Sequence, residues 1–149
     1  MTILPDWPAR TIGVLSTLGD LSEHGAHAIP VSAPVRAGDS TILLSLHRSR
    51  DTLDRLRRRP RVALTFLAEG NVAFTARGDA QVIADPMPEA DEYAAVRIAV
   101  TTVDDHRQPA FSVLAGVART LIDDGEKQAL ASRVATLHDL AGDDQAAQV

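Results

Sequence analysis

The residues best suited to chemistry gather in one stretch, Thr41 to Val62 (TILLSLHRSRDTLDRLRRRPRV). An apolar run ends at His47, Arg48 and Arg50 flank Ser49, and a short basic run then leads to Pro60. The pattern predicts a strand, a short helix opening on Ser49, a basic helix end, a proline and a second strand. Such a turn sets two guanidinium groups beside a helix N-terminus. Free backbone N–H groups and the positive end of the helix dipole favour an anion there, phosphate above all. A local reading of the same residues has Ser49 capping the helix and the arginines solvated. The run Arg57-Arg58-Arg59 complements the negative end of the helix dipole, which needs no nucleic acid to explain it.

The other candidates are weaker. His24 and His27 form an H-x-x-H pair and His47 lies elsewhere, on a strand, but no carboxylate motif accompanies them, so no metal site is assigned. Ser16 and Thr17, at the end of an apolar run, suit a ligand's ring edge or an ordinary strand surface. Asp104-Asp105-His106-Arg107 carries acid and base groups but reads as a solvated connector. The chain has neither a G-x-S-x-G elbow nor a Walker-type loop, so hydrolase and NTPase readings lack support. No residue is assigned as catalytic.

At 149 residues the chain is expected to form one domain, large enough to enclose a core. Only 3% is aromatic against 45% hydrophobic, so that core must be built largely from Val, Leu, Ile and Ala. The absence of cysteine removes disulfides, thiol catalysis and Cys-based metal sites, and fits a reducing, cytoplasmic setting. The start MTILPDWPAR does not read as a signal peptide, and no apolar run is long enough to span a membrane, so no membrane partner is expected. A formal charge of −5 argues against a nucleic-acid partner.

These residues have to be positioned by strands. Thr11–Leu18 is β-branched and apolar and ends at a Gly-Asp pair; Ala26–Val35 is a second strand, which Pro30 confines to an edge or a bulge. Ala37–Ser40 is a turn into Thr41–His47. Arg61–Leu67 follows the short helix, and Asn71–Ile83 alternates in register, with Gly78 as a bend or bulge. Tyr93–Val103 and Phe111–Ile122 read as two further strands. Leu130, Val134, Leu137 and Ala141 share one face of a C-terminal helix that Gly142 should stop, leaving GDDQAAQV as a frayed tail. Hairpin spacing without a βαβ rhythm predicts a mainly β, antiparallel barrel of six to seven strands. A short helix lies between the third and fourth strands and a longer one at the C-terminus.

The order TIGVLST, HAIPVSA, RSRDTLDRLRRRPRVAL resembles the flavin-binding split β-barrel proteins, which include the pyridoxamine 5′-phosphate oxidases and the actinobacterial flavin/deazaflavin oxidoreductases. The likeness spans about residues 9–123 of a single domain, 1–149, with the C-terminal helix at about 124–141. Its most specific part is the helix followed by Leu56-Arg57-Arg58-Arg59-Pro60-Arg61-Val62; the GDST turn and the ARGDAQVI strand add to it. The resemblance implies a cofactor phosphate held by His27 and Ser32 on the second strand, Ser45 on the third, and Arg48, Ser49, Arg50 and Thr52 around the helix start. The lysine common at the helix start is Thr52 here. FMN is the implied cofactor, with coenzyme F-420 or haem as alternatives. The implied assembly is a homodimer with the cofactor at its interface, Val113, Ala115 and Val117 being candidates for the contact or for the monomer core. The implied activity is hydride transfer to or from a small molecule. Two other classes stay open: a non-redox carrier of haem, a tetrapyrrole or a deazaflavin, and a structural dimer without ligand. Arg36, Arg48, Arg50 and Arg77 are candidates for a groove along a deazaflavin's acidic tail.

Overall fold

The computed structural model describes residues 3–19 and 25–147. Its elements are β1 (Ile12–Leu18), β2 (Ala26–Ser32), β3 (Val35–Arg36), β4 (Thr41–His47), α1 (Asp51–Arg58), β5 (Arg61–Ala68), β6 (Val72–Ala84), β7 (Tyr93–Asp105) and α2 (Asp124–Ala147). The seven strands form one sheet in the order β2-β1-β5-β6-β7-β4-β3, with every neighbouring pair antiparallel. The sheet curls until β2 approaches β4, which makes a half-barrel with an open seam between those two strands. Mainly β architecture with two helices is the split-barrel fold expected from the sequence.

The alternation of side chains explains the curl. Leu15, Leu64, Phe66, Phe74, Ala76, Val96 and Ile98 turn inward and are buried. Trp7, from the segment before β1, closes one end by stacking on Phe66 at 4.4 Å between ring centroids, and Phe66 stacks on Phe74 at 4.8 Å. A second apolar cluster forms outside the barrel, where Leu137 and Ala141 of α2 cover Val35, Leu43, Met87 and Ala95. The predicted helix face is the buried one: Leu130, Leu137 and Ala141 are buried and Val134 is half-buried.

Pro30 lies in β2, an edge strand of the sheet, where a missing ladder donor costs nothing on the open side. Gly78 marks a register shift between β6 and β7, as the bulge reading required.

Four expectations need correction. The second strand does not run on to Val35; Ala33, at φ 48°, breaks it into β2 and β3. Phe111–Ile122 is not a strand. Despite its strand-like composition it forms no ladder; it lies against the end of β5 at Leu67 and Ala68, beyond Phe66, where the pairing with β1 stops. Asn71 anchors it instead: the Asn71 N–H donates to the Val113 carbonyl and the Val113 N–H to Asn71 Oδ1. The short helix opens at Asp51, two residues after Ser49, whose N–H and hydroxyl are taken up by His47 Nδ1. Finally, α2 passes Gly142 and continues to Ala147. A Cβ at Gly142 would meet nothing within 4 Å, so Gly142→Ala should stabilise the fold by about 0.5–1 kcal/mol, read as a higher urea midpoint.

Candidate functional site

The seam between β2 and β4 holds a cleft of about 360 Å³. Strand β2 supplies Ile29 to Ser32, β4 supplies Ser45 to His47, and the turn after β4 supplies Ser49 and Arg50; Tyr93 of β7 and Arg133 of α2 complete it. Four of the seven residues expected at a phosphate site therefore converge here: Ser32, Ser45, Ser49 and Arg50. Ser45 is nearly enclosed, 8% exposed, while Arg50 is exposed at the rim.

Ser49 does not cap α1. Its N–H donates to His47 Nδ1 at 3.2 Å, and its Oγ lies 2.7 Å from the same nitrogen. A backbone N–H can only donate, so Nδ1 is the accepting nitrogen and the Ser49 hydroxyl donates to it as well. The ring proton is then on Nε2, 3.8 Å from a Glu92 carboxylate oxygen. The turn thus closes on itself, and the N-cap position falls to Arg50, which makes no side-chain cap hydrogen bond. With the Leu53 N–H donating to the Arg50 carbonyl at 3.2 Å, the uncapped end leaves the N–H groups of Asp51 and Thr52 without an intrahelical acceptor, next in the chain to Arg50 at the rim of the cleft.

The remaining three expected residues are placed elsewhere. Arg48 is committed to Asp85, at 2.5 Å, and to the Asp91 carbonyl, at 3.2 Å. Thr52 is 3% exposed in the first turn of α1 and does not line the cleft. His27 sits opposite Thr17, toward the far end of β2 from Ser32, and does not line it either. Its H-x-x-H partner, His24, lies outside the described residues. Among the described residues no three His, Asp or Glu side chains gather as a metal site would require.

Other candidates resolve into structural roles. Ser16 and Thr17 line a smaller cleft of about 180 Å³ with Arg61 and Arg77. Arg77 pairs with Asp104 at 2.9 Å, and Arg36 is held by the Leu4 carbonyl and Asp39. The four arginines suggested for an acidic tail thus do not form one groove, since only Arg50 reaches the seam cleft. Arg107 grips Asp105 through both its Nε–H and its Nη2–H, holding that carboxyl down to about 2, and His106 Nε2 meets Thr75 Oγ1 at 2.8 Å.

Asp85 is the counter-charge beside the site. Hydrogen bonding from Arg57, then from Arg48, holds its carboxyl below the usual range despite some desolvation. Removing that charge with Asp85→Asn should leave the fold intact and tighten phosphate binding in the cleft roughly twofold at low salt, an effect that isothermal titration would show fading as salt rises.

Two cleft residues were not foreseen. Tyr93 stands opposite His47 in the β4–β7 register and meets its ring edge-on at 5.2 Å. Arg133 lies over the Tyr93 ring, its guanidinium carbon 4.0 Å from the ring centroid. A sequence signal for Arg133 existed, because it falls three residues after Leu130 and four before Leu137, on the flank of the apolar face.

No family model matches the sequence, and no curated protein matches it. Solved structures do match the fold. A protein described as an F420 reductase superposes with a TM-score of 0.55 at 12% identity, covering 66% of this chain and 92% of that one. An FAD-binding protein from Mesorhizobium loti gives 0.51 at 14%, covering 64% and 84%. A pyridoxamine 5′-phosphate oxidase-like protein from Listeria innocua gives 0.51 at 13%, covering 62% and 86%. The chain therefore has the split-barrel fold of the pyridoxamine 5′-phosphate oxidase-like proteins.

Proposed function

We propose that the protein is a flavin- or deazaflavin-dependent oxidoreductase of the cytoplasm that binds its cofactor's phosphate in the seam cleft. The observation that carries this reading is the convergence there of Arg50, the uncapped start of α1 and the hydroxyls of Ser32 and Ser45. The residues fit a phosphate: guanidinium groups match its oxygens bidentately, hydroxyls add donors, and the helix dipole adds positive potential. The Arg133 guanidinium, which lines the same cleft, is a further donor of the kind such a group uses. FMN is the first choice, with coenzyme F-420 the alternative. When bound, the cofactor supplies the hydride chemistry. The chain's own part is to hold the phosphate and to present the apolar wall of Ile29, Val31 and Leu46.

A homodimer belongs to the same proposal. Leu114, Val117 and Ile122 of the segment after β7 are 82%, 71% and 89% exposed, and Leu67 beside them on β5 is half exposed. Such a run of exposed large apolar side chains is suited to burial against a second copy.

A second reading, a non-redox carrier, is favoured by one observation: the imidazole lining the cleft, His47, already faces a partner at each ring nitrogen. His47 has Nδ1 occupied by Ser49 and its Nε2–H turned toward Glu92. The deciding experiment is titration of purified protein with FMN, F-420 and haemin, followed by assay with a reduced nicotinamide or a reduced deazaflavin as donor. Saturable flavin or deazaflavin binding with turnover supports the oxidoreductase. Binding without turnover supports the carrier, and no binding by any of the three sinks both.

A further inference from the structure

The C-terminal helix lies outside the motif that suggested a phosphate site, yet it places a charged group in the same cleft. Resting on the flavin-phosphate reading, we infer that Arg133 of α2 is a second guanidinium contact to the ligand's phosphate, and that it makes the cleft selective for a dianionic phosphate monoester.

Four observations combine. Arg133 lines the cleft and its Nε, shielded by the protein, makes no hydrogen bond, so the acceptors this cation needs must be met by its remaining N–H groups, which a ligand's oxygens in the cleft would supply. The guanidinium is held in place, because it stacks on Tyr93 at 4.0 Å and Tyr93 is itself fixed against His47. It opens on the same cleft as Ser32, Ser45 and Arg50. Finally, α2 is anchored through Leu137 and Ala141 over β3 and β4, so Arg133 does not arrive on a mobile arm.

Charge then sets the ligand class. Arg50 and Arg133 bring two full positive charges, Arg119 adds a third at the edge, where its Nη1–H donates to Ser32 Oγ at 2.8 Å, and the uncapped end of α1 adds roughly half a charge. Asp51, exposed in the first turn of α1, offsets part of this. A phosphate monoester carries between about one and a half and two negative charges near neutral pH, whereas a diester carries only one. The site therefore matches a terminal monoester, the kind found at the end of FMN, better than a phosphate embedded in a chain.

The test uses the full chain with FMN, riboflavin and riboflavin cyclic 4′,5′-phosphate as probes, against the wild type, Arg133→Gln and Arg133→Lys. Arg133→Gln should weaken FMN roughly tenfold or more while leaving riboflavin unchanged, and should shrink the preference for FMN over the cyclic diester. Arg133→Lys should restore part of the loss. Hydrogen exchange supplies a readout apart from affinity: FMN should slow exchange across α2 in the wild type and not in Arg133→Gln. Equal FMN affinity in the wild type and Arg133→Gln overturns the role of Arg133 while leaving the flavin reading standing. If the wild type binds no flavin, that reading fails alone, and inorganic pyrophosphate becomes the probe. Pyrophosphate binding weakened by Arg133→Gln supports the anion contact; the absence of pyrophosphate binding overturns it.

Discussion

Arg50→Glu should abolish phosphate-dependent ligand binding, with FMN affinity falling by about 100-fold or more. Arg50 occupies the N-cap position of α1 and points no side-chain cap at it, so this end of the helix keeps its donors for a ligand. Glutamate there removes a guanidinium and adds a carboxylate beside Asp51 and Asp54, which already place negative charge in the first turn. It also offers the helix a competing acceptor, since a carboxylate at this position can take up the free N–H groups. Arg50 is exposed, so the substitution should leave the fold and its urea midpoint nearly unchanged. Riboflavin, which lacks the phosphate, should bind both forms equally and so serves as the control. Unaltered FMN affinity in a folded Arg50→Glu protein would remove the seam cleft from consideration as the phosphate site.

Parts of this site were legible in the sequence because they follow from local rules. Ser45 and Ser49 come with a strand end and a turn that short-range patterning predicts, and Arg50 is adjacent to the helix start. The choice between Arg48 and Arg50 was not legible. They differ by two residues, but Asp85, far along the chain at the end of β6, takes Arg48 into an ion pair, and only the fold brings the two together. The role of Ser49 was hidden for a similar reason: a serine before a helix usually caps it, and here His47 competes successfully for the hydroxyl. For Arg133 the helical spacing showed only that it flanks the apolar face; which strand edge that flank meets is set by tertiary structure. The succession of strands along the chain through β7, and the reading of Pro30 as an edge or bulge residue, came through because alternation and donor loss act within a few residues. Phe111–Ile122 misled because composition reports strand propensity without reporting whether the segment enters a ladder.

Gly78→Ala should be among the most damaging substitutions of a small residue, lowering stability by about 3 kcal/mol or more. A Cβ built there would lie 2.0 Å from the Ala99 carbonyl oxygen, 2.8 Å from its carbon and 2.9 Å from Val100 Cα. All three are backbone atoms, so no rotamer change relieves the contact. The glycine also sits where the β6–β7 register shifts and where β5 pairs on the other side through Val62, in the middle of the sheet. Relief would require β6 and β7 to separate, breaking ladder bonds that hold the two longest strands together. Gly13→Ala is the matched comparison. Its Cβ would come 2.9 Å from Leu64 Cδ1, the end of a flexible side chain that can move, so the loss should be much smaller. Urea denaturation of both variants decides the matter, and similar midpoints would show that close backbone approach is not what Gly78 provides. The consequence reaches the cleft through β7. That strand carries Tyr93 opposite His47, so a shifted β6–β7 pairing should disturb the Tyr93 platform under Arg133 and weaken FMN binding in whatever fraction of Gly78→Ala still folds.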